Sequence, residues 1–592
     1  MNSKALDVYK KAVKKNFSFL KGAANIQDVF LRAIPVEKSG FLIPLSNAHE
    51  TDGDLLQKLT DWRNKNVQAY PTQFVATFES TKAWLKDRLL AIEDRILFLV
   101  VDNQGKVVGH IGFNGCINDG LLFEIDNVVR GDPTAAKGLF SQAMFALMEW
   151  ARKTSNVGGF FLRVMDDNSH AIDFYKRIGF IEDRRIPLVK DEKDGFVSYR
   201  EANKGESSAK TFVRMIWQPA KTVGKSMILT AGPSISAKEA VYSFDAALNG
   251  WNSSWSKYLT AFEEQFAEYV GVKYAMATSS CTGALQIALM ALDIGPGDEV
   301  IVPDQTWVAT ANAVRYVGAI PVFADIELDT WNIDARSIEK LVTSKTKAVI
   351  PVHMYGHPAR MTEILEVAIK YNLKIVEDAA PAIGAEWLGK RCGSFGQFGA
   401  FSFQGAKLMV TGEGGMLVTD DDVLYQKALK IWDQGRNPAR TFWIDGNGVK
   451  YKMSNIQAAL GLGQLERVDE LIEMKRRLFS WYQDGLEGVP NITLNKEVEG
   501  ARSIYWMSSF FLDEAATVSR DELMKQLKER NIDSRPVFPA ISQYPIWPRQ
   551  QQPQPTALRV GSQAINLPSG VCLTKDEVMY VTKQIQEILS PK

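Results

Sequence analysis

Residues 401–415, FSFQGAKLMVTGEGG, decide the fold of this chain. An apolar, strand-like run ends at Phe403, a lysine follows at Lys407, and three of the four positions 412–415 are glycine. Lysine is costly to bury and glycine weakens regular elements, so both are unusual in so apolar a neighbourhood. The stretch predicts a strand that ends in a tight turn and presents a lysine there.

The segments around this stretch alternate between short apolar strands and helical patterns. The apolar runs are YAMATSS, EVIVPD, IPVFADI, KAVIPVHMYG and KIVEDAA. Strands that are buried on both faces have this pattern, which favours a mainly parallel sheet covered by helices. From about residue 465 a long charged helix leads into a smaller α+β subdomain.

A second alternating pattern occupies the first half of the chain. RILFLVVDN, VVGHIGFNG and LLFEIDNVVR are predicted strands separated by turn signals, and a helix from about Lys137 to Arg152 follows them. The sequence thus predicts an α/β fold in two parts, residues 30–217 and residues 227–592, joined by a linker at 218–226.

The first 29 residues form a lysine-rich extension that is predicted to be an amphipathic helix. It lacks the continuous apolar core of a signal peptide. Binding to a membrane surface is one interpretation. Docking on the protein itself is the favoured one, because tertiary packing explains most apolar stripes on helices.

Composition excludes several classes of function. The 592 residues include 69 Lys+Arg and 69 Asp+Glu, so no global field would attract nucleic acid or an anionic membrane. No apolar run approaches the ~20 residues that span a bilayer. The four cysteines lie far apart without a CxxC pair, so neither a disulfide framework nor a metal site is expected. A reducing, cytoplasmic setting is the simple interpretation.

A carboxylate is predicted to lie at the same edge of the sheet as the lysine. Asp378 ends the strand KIVEDAA, and Lys407 follows later at the end of another strand. Ligands approach an α/β sheet at the carboxyl ends of its strands. An aspartate and a lysine placed there suit pyridoxal phosphate (PLP): the lysine forms a Schiff base, and the carboxylate keeps the pyridine nitrogen protonated so that the ring is an electron sink.

Two further stretches offer contacts for such a cofactor. SSCTGALQIAL places Ser280, Thr282 and Gly283 at a helix start, where backbone amides bind phosphate. Trp307, which follows VPDQT, is placed to stack on the pyridine ring.

With these motifs in order, residues 227–592 resemble the DegT/DnrJ/EryC1/StrS family, the sugar-nucleotide aminotransferases of PLP fold type I. The matching motifs are GWNSSWSKYLTAFEEQFAEYVGVKYAMATSSCTGAL, VPDQTWVATANAV, VEDAA, FSFQGAKLMVTGEGG, YKMSNIQAALGLGQLERVDE and INLPSG. The resemblance implies PLP-site roles for seven residues: Lys407 as the Schiff-base lysine, Asp378 at the pyridine nitrogen, Trp307 as the stacking ring, Thr282, Gly283 and Ser402 at the phosphate, and Lys450 at the phosphate of a neighbouring subunit. The last contact implies a homodimer with shared active sites.

The chain departs from the family pattern at two positions. Lys450 stands where asparagine is commoner, a substitution associated with the perosamine-synthase-like branch. Pro381 replaces a glutamine, histidine or glutamate, so a hydrogen bond near the cofactor's hydroxyl is missing or is supplied elsewhere. Lys407 argues against the dehydratase offshoot of the family, which has histidine there.

Two other polar residues of this half have no settled role. Arg535, in NIDSRPVF, is either a solvated surface charge or a bidentate binder of a substrate carboxylate or phosphate. His353, in PVHMYG, is expected to be structural or to line the pocket.

In the first half, NSHAIDFYKRIGF at 168–180 is similar to motif B of the GNAT acetyltransferases, N-x-x-A-x-x-F-Y-x-x-x-G-F. The resemblance implies acetyl-CoA as cosubstrate, with Asn168 at the pantetheine arm and Tyr175 protonating the leaving thiolate. Glu124 and Asp126 lie on one face of the strand FEIDNVVRG, and either is a candidate base for an incoming ammonium.

The pyrophosphate-binding loop of this half departs from the GNAT pattern. In RGDPTAAKG, Pro133 has no amide to donate. Amides at the following helix start, around Gly138 and Leu139, remain for the pyrophosphate.

Together the two resemblances imply a bifunctional enzyme of nucleotide-sugar biosynthesis. The aminotransferase would use PLP and L-glutamate to aminate a nucleotide-linked 4-keto-6-deoxy sugar, and the GNAT part would acetylate the new amine for a bacterial surface glycan. The alternative is a monofunctional aminotransferase with a binding or regulatory GNAT-like part, which the broken loop favours. A catalytically idle scaffold is a third interpretation, which the intact lysine–aspartate pair disfavours.

Overall fold

The structure is a computed structural model that describes residues 3–36, 39–155, 157–193, 196–203, 206–208, 210–217, 226–547 and 551–590. Contacts divide these residues into two compact units. The first unit holds the described residues up to 217 together with 236–241, and the second holds 226–235 and 242–590. The predicted linker lies outside the described residues except for Ser226.

The described chain up to residue 217 contains helices and strands in alternation. The helices are α1 (Ser3–Lys21), α2 (Ile26–Phe30), α3 (Gly53–Lys65), α4 (Phe78–Trp84), α5 (Leu139–Ser155) and α6 (Ser169–Arg177). The strands are β1 (Ile34–Val36), β2 (Gly40–Pro44), β3 (Thr72–Gln73), β4 (Ile96–Asp102), β5 (Val107–Asn114), β6 (Leu122–Arg130), β7 (Gly159–Met165), β8 (Phe180–Lys193), β9 (Phe196–Glu201) and β10 (Lys210–Trp217).

These strands form one sheet in the order β1-β2-β4-β5-β6-β7-β10-β8-β9-β3. The β6–β7 pair is parallel, and the pairs on either side of it are antiparallel. Buried side chains cover both faces: α1 and α5 pack on one, and α2, α3 and α4 pack on the other. The three strands predicted from RILFLVVDN, VVGHIGFNG and LLFEIDNVVR are β4, β5 and β6.

The N-terminal extension packs on this sheet. Tyr9, Val13 and Phe17 are buried at the spacing of one helix face. The Tyr9 hydroxyl donates to the Cys116 carbonyl oxygen, and the Phe17 ring lies 5.9 Å from the Phe123 ring. The protein's own core therefore covers the apolar stripe of α1. Among the described residues, none of the helices combines the length and the apolarity that a bilayer span requires.

The described chain after residue 226 contains a longer series of elements. The helices are α7 (Ala237–Asn249), α8 (Lys257–Val270), α9 (Cys281–Ala291), α10 (Ala309–Tyr316), α11 (Ala335–Leu341), α12 (Met361–Tyr371), α13 (Asp422–Trp432), α14 (Asn455–Leu465), α15 (Val468–Leu486), α16 (Arg520–Glu529), α17 (Pro555–Gln563) and α18 (Lys575–Leu589). The strands are β11 (Tyr274–Thr278), β12 (Glu299–Pro303), β13 (Ile320–Ala324), β14 (Thr346–Val349), β15 (Lys374–Asp378), β16 (Glu386–Trp387), β17 (Lys390–Arg391), β18 (Phe398–Ser402), β19 (Gly415–Thr419), β20 (Ile492–Leu494), β21 (Ala501–Arg502), β22 (Ser509–Leu512), β23 (Arg535–Pro536) and β24 (Ala564–Asn566).

The large sheet of the second unit has the order β11-β19-β18-β15-β14-β12-β13. The five strands from β18 to β13 run parallel, while β19 is antiparallel to both of its neighbours. The strands are almost wholly buried because helices cover both faces of the sheet. Since β15 and β18 are parallel neighbours, their carboxyl ends lie side by side.

A smaller sheet follows, in the order β20-β22-β24-β23, and α15, α16 and α18 cover it. Short strands β17, β16 and β21 form a third sheet. The α/β class predicted for both halves is confirmed, with a mixed sheet in the first and a mainly parallel sheet in the second.

Candidate active sites

The lysine turn is a loop closed by backbone hydrogen bonds. The Phe403 amide donates to the Gly414 carbonyl oxygen at 2.9 Å, and the Gly405 amide donates to the Gly412 carbonyl oxygen at 3.0 Å. Gly412 has a φ of +83°, a left-handed conformation that glycine adopts without strain. The loop places Lys407 just beyond the end of β18.

Lys407 is half-buried beside an aromatic ring. Its Nζ lies 3.9 Å from the centroid of the Trp506 ring, and the Trp506 indole nitrogen donates to the Ala406 carbonyl oxygen at 2.8 Å. Burial lowers the pKa of Lys407 to about 8, although the charge of Asp378 opposes the shift. A lysine with a lowered pKa offers more of the neutral amine that a nucleophile requires. No sequence motif had pointed to Trp506.

Asp378 is buried at the end of β15. The Thr310 hydroxyl donates to its Oδ2 at 2.8 Å, and the Ala380 amide donates to its Oδ1 at 3.2 Å. Burial raises the pKa of Asp378, while these hydrogen bonds and the charge of Lys407 act in the opposite direction. The structure thus brings the aspartate and the lysine together at one edge of the sheet. Thr310 was missed by sequence reasoning, although it follows Trp307 at helical spacing.

The first turn of α9 holds Thr282 and Gly283. The Ser280 side chain caps this helix, because its Oγ accepts the Gly283 amide at 3.1 Å. A Cβ on Gly283 would lie 2.9 Å from Cδ2 of Tyr451, so a side chain does not fit there. The first amides of a helix lack intrahelical partners and attract anions.

Gly415 lies between this helix start and Ser402. Its backbone pairs with Thr278 on one side and with Ser402 on the other. A Cβ on Gly415 would lie 2.5 Å from the Cys281 nitrogen, so only glycine lets β19 pass this close to α9. The Ser402 side chain, the α9 amides and the Gly415 backbone form a candidate anion site, which we call the phosphate cradle.

Trp307 precedes α10 and is 59% exposed. Its ring packs against Phe538, with ring centroids 5.6 Å apart. Its carbonyl oxygen accepts the amide of Thr310, whose hydroxyl reaches Asp378. The exposed indole is therefore within one helical turn of the residue that contacts Asp378.

Lys450 and Arg535 both have exposed side chains. Lys450 pairs through its backbone with Asp433, and the next residue, Tyr451, accepts the Ser279 amide at 2.7 Å through its carbonyl oxygen. Arg535 forms an ion pair with Asp533 at 3.3 Å. Among the described residues, no contact joins either side chain to the lysine–aspartate pair.

His353 is buried in a hydrogen-bond network that the protein completes by itself. Its Nδ1 accepts the Ala359 amide at 3.0 Å, so its Nε2 donates to Glu377 at 3.0 Å. The Glu377 carboxylate also accepts three backbone amides, from Gly393, Phe395 and Gly396. This arrangement favours the structural role for His353.

In the first unit, β6 and β7 pair at one end only. Their parallel pairing joins Leu122–Glu124 to Gly159–Phe161, and both strands continue beyond it. Asn127 has a φ of +53°, and the register between β5 and β6 shifts nearby. The two strands therefore separate near Asp126 and leave an opening between them.

Glu124 is engaged by an arginine. Arg163 donates from Nε to Oε1 at 2.6 Å and from Nη2 to Oε2 at 3.0 Å. Burial raises the pKa of Glu124, and the guanidinium opposes that shift. Both carboxylate oxygens are occupied in this arrangement. Sequence reasoning missed Arg163.

Asp126 and Tyr175 lie near the strand opening. Asp126 accepts from Arg95 at 3.1 Å and from the Asn127 side chain at 2.7 Å. Tyr175 is half-buried, with its ring 6.0 Å from the Phe180 ring. Burial, followed by the charge of Asp126, raises the pKa of Tyr175. The phenol therefore stays protonated at physiological pH.

The remaining candidate residues of the first unit lie at helix starts. Asn168 caps α6, because its Oδ1 accepts the Ala171 amide at 3.2 Å. Gly138, with a φ of +94°, precedes α5, and Leu139 opens that helix with a buried side chain. Arg130 holds the loop before α5 by donating to two of its carbonyl oxygens.

Comparisons with known proteins find matches for both halves of the chain. Residues 233–586 match the DegT/DnrJ/EryC1/StrS aminotransferase family, and residues 58–180 match the acetyltransferase (GNAT) family. The chain is 41% identical over 364 residues to GDP-perosamine synthase of Caulobacter vibrioides (61% of this chain, 98% of that protein) and 41% identical over 360 residues to GDP-perosamine synthase of Escherichia coli O157:H7 (61% and 98%). The crystal structure of aminotransferase TlmJ from Streptoalloteichus hindustanus is 28% identical, covers 61% of this chain and 98% of its own, and has a TM-score of 0.58.

The chain therefore belongs to the DegT/DnrJ/EryC1/StrS aminotransferase family, and it also carries a GNAT domain. It is a perosamine-synthase-like sugar aminotransferase of PLP fold type I. These parts of the sequence-based interpretation are confirmed.

PLP is the cofactor of this family, and the residues present fit it. Asp378 is a buried carboxylate that forms no ion pair among the described residues, which suits a protonated ring nitrogen. The phosphate cradle offers a helix start, a serine and a glycine backbone to an anion. The GNAT domain implies acetyl-CoA as cosubstrate.

Proposed function

We propose that this chain is a bifunctional enzyme of nucleotide-sugar biosynthesis. Its aminotransferase part moves the amino group of L-glutamate to a nucleotide-linked 4-keto-6-deoxy sugar, and its GNAT part acetylates the new amine with acetyl-CoA. The observation that carries the first step is the Lys407–Asp378 pair at the carboxyl edge of the large sheet. The relatives named GDP-perosamine synthase support a sugar nucleotide as substrate. The product is an N-acetylated dideoxy amino-sugar nucleotide, made in the cytoplasm for a surface glycan.

In the first step the protein binds the cofactor, holds a proton on it and transfers protons to and from the reacting groups. PLP, when bound, supplies an electron sink for the carbon that loses a proton. Asp378 would hold a proton on the pyridine nitrogen, the phosphate cradle would bind the phosphate, and Trp307 would pack against the pyridine ring. Lys407, whose pKa is about 8, moves protons near neutral pH as a general base and acid.

A homodimer with shared sites completes this part of the proposal. Phe244, Leu248 and Trp251 are 68%, 64% and 60% exposed at helical spacing on α7 and the turn after it. Phe442, which is 95% exposed, projects from the loop before Lys450. Monomeric proteins rarely expose a row of large apolar side chains like the one along α7, and a second copy of the chain is the partner that covers it. Lys450 then contributes to the phosphate site of the partner subunit.

The second step is an acyl transfer at the opening between β6 and β7. The amine nitrogen of the sugar attacks the thioester carbon of acetyl-CoA, the carbon–sulfur bond breaks, and Tyr175 gives its phenolic proton to the leaving thiolate. The proton lost by the amine goes to Asp126, directly or through water. Glu124 is the second candidate base, and its hydrogen bonds with Arg163 have to break before it accepts a proton. Asn168 binds the pantetheine arm, and the amides around Gly138 and Leu139 bind the pyrophosphate once the Leu139 amide releases the Ala136 carbonyl oxygen.

Two observations favour a second candidate function, a monofunctional aminotransferase with a regulatory GNAT-like unit. Arg163 already donates to both carboxylate oxygens of Glu124. The loop before α5 contains Pro133, which has no amide to donate, and Arg130 donates to the carbonyl oxygen of Pro133. Both features restrict the site that an active acetyltransferase needs.

Product analysis separates these two functions. The protein is incubated with PLP, glutamate and a panel of nucleotide-linked 4-keto-6-deoxy sugars, with and without acetyl-CoA, and the products are identified by mass spectrometry. We expect an amino-sugar without acetyl-CoA and its N-acetyl derivative with acetyl-CoA. Lys407→Ala should lose the first reaction and still acetylate a preformed amino-sugar. If the wild-type protein never consumes acetyl-CoA with any amino-sugar, the bifunctional proposal is wrong and the regulatory one stands.

A further inference from the structure

Lys475 is a buried lysine whose ammonium group is bound by backbone carbonyl oxygens. It lies on α15 with an exposed fraction of 4%, and its Nζ donates to the carbonyl oxygen of Trp506 at 2.7 Å and to that of Ser569. It forms no ion pair within the part of the chain that the structure describes. Burying an ammonium group without a paired charge is unfavourable. An apolar side chain of the same length would fill this space at lower cost, but it could not donate to two carbonyl oxygens.

Trp506, whose carbonyl oxygen accepts a hydrogen bond from Lys475, also contacts Lys407 and the residue before it. The Trp506 indole nitrogen donates to the carbonyl oxygen of Ala406, and the face of the same ring lies 3.9 Å from Nζ of Lys407. Trp506 itself is buried, with an exposed fraction of 5%. A continuous set of contacts therefore runs from Lys475 through the Trp506 backbone and indole to the Lys407 amine.

We propose that Lys475 is a positioning residue for Lys407, because it fixes the Trp506 backbone and so sets the aromatic face against which the reactive amine rests. This inference rests on the proposed role of Lys407. Lys475 touches neither the substrate nor the cofactor in this role. It acts through Trp506.

The charges around Lys407 and Lys475 are consistent with Lys475 acting on Lys407 through Trp506 and not through its own charge. Asp378 and Cys281 are the titratable groups that act on Lys407, and burial is what lowers its pKa to about 8. Burial alone lowers the pKa of Lys475, to about 7. If Trp506 moves away, Lys407 gains water, and its pKa should rise toward the ordinary lysine value.

Tyr482 provides a matched control on the same helix. It is fully buried on α15, and its hydroxyl donates to the Pro568 carbonyl oxygen at 2.9 Å, next to the Ser569 that Lys475 contacts. Tyr482→Phe thus removes a buried tether between the same helix and the same loop, but it does not affect Trp506. A merely structural role for Lys475 predicts that the two variants behave alike.

The test measures the reactivity of Lys407 in the protein without PLP. Wild type, Lys475→Met and Tyr482→Phe are labelled with acetic anhydride across a pH series, and labelling of the Lys407 peptide is quantified by mass spectrometry. We expect a midpoint near 8 in wild type and in Tyr482→Phe. In Lys475→Met the midpoint should move upward by about one unit or more. An unchanged midpoint in Lys475→Met, or an equal shift in Tyr482→Phe, overturns the proposal.

Two additional measurements keep the outcome clear. If Lys475→Met does not fold, Lys475→Gln is used, because its shorter amide cannot reach the carbonyl oxygens of both Trp506 and Ser569. An unchanged labelling midpoint of Lys407 in the folded Lys475→Gln variant also overturns the proposal. Protection of Lys407 from labelling by added PLP in wild type tests the proposed function separately, because Lys475 takes no part in that comparison.

Discussion

Replacing Gly415 by alanine tests the phosphate cradle directly. Gly415 opens β19, pairs with Ser402, and passes close to the start of α9. The added methyl group would lie 2.5 Å from the Cys281 nitrogen and 2.6 Å from the Ser280 carbonyl carbon. Both of these are backbone atoms, so no side-chain rotation relieves the overlap.

The size of the effect follows from this overlap. Ordinary van der Waals contact begins near 3.4 Å, so the start of α9 has to retreat by roughly 0.9 Å. Overpacking of this kind costs about 1–3 kcal/mol of stability. Amides displaced that far lose charge-assisted hydrogen bonds to the phosphate, which are worth ~1.5–3 kcal/mol. The dissociation constant for PLP should therefore rise roughly 10- to 150-fold.

Gly396→Ala is the matched control. Its Cβ would lie 2.5 Å from the Ile375 carbonyl oxygen, which is an equally short contact with the backbone, in the bend just before β18. Gly396 lies at the amino ends of β15 and β18, at the edge away from the cradle. Both variants should lower the melting temperature of the protein without PLP, and only Gly415→Ala should weaken PLP binding.

The assay is a titration of the protein without cofactor by PLP, followed by the quenching of tryptophan fluorescence, with thermal unfolding measured on the same samples. Wild-type affinity in a destabilised Gly415→Ala protein would refute the cradle. An equal loss of affinity in Gly396→Ala would mean that general destabilisation, and not the position of α9, controls binding.

Two further predictions concern the shared site and the acetyl transfer. Lys450→Ala mixed with Lys407→Ala should regain part of the aminotransferase activity after subunit exchange, because one wild-type site then forms in each heterodimer; no recovery despite verified exchange would place Lys450 in its own subunit's site. Tyr175→Phe should slow acetyl transfer about 10²–10⁴-fold at unchanged melting temperature and acetyl-CoA affinity, with transamination unaffected. A wild-type rate of acetylation would show that Tyr175 is only a core residue.

The sequence alone determined the two α/β parts and the sheet edge that holds the candidate PLP residues. Strand periodicity placed Asp378 and Lys407 at strand ends, and the carboxyl ends of parallel strands share one edge of a sheet. The glycines after Lys407 indicated a turn, and the structure shows a left-handed Gly412 there and a close approach at Gly415. These features are local, so the order of residues along the chain is enough to reveal them.

Only the tertiary structure decided which side chains complete each site. The Thr310 hydroxyl donates a hydrogen bond to Asp378, which is 68 positions away in the sequence. Arg163 donates to Glu124, which is 39 positions away. Trp506 comes to Lys407 from the smaller C-terminal part of the chain, and no pattern in the sequence links the two. Contacts of this kind form when elements pack, and packing depends on the shape and burial of whole faces rather than on the period of a single segment. The chain thus specifies its reactive lysine locally, while the aromatic surface, the hydrogen bonds and the charges that tune that lysine arise only when distant segments meet.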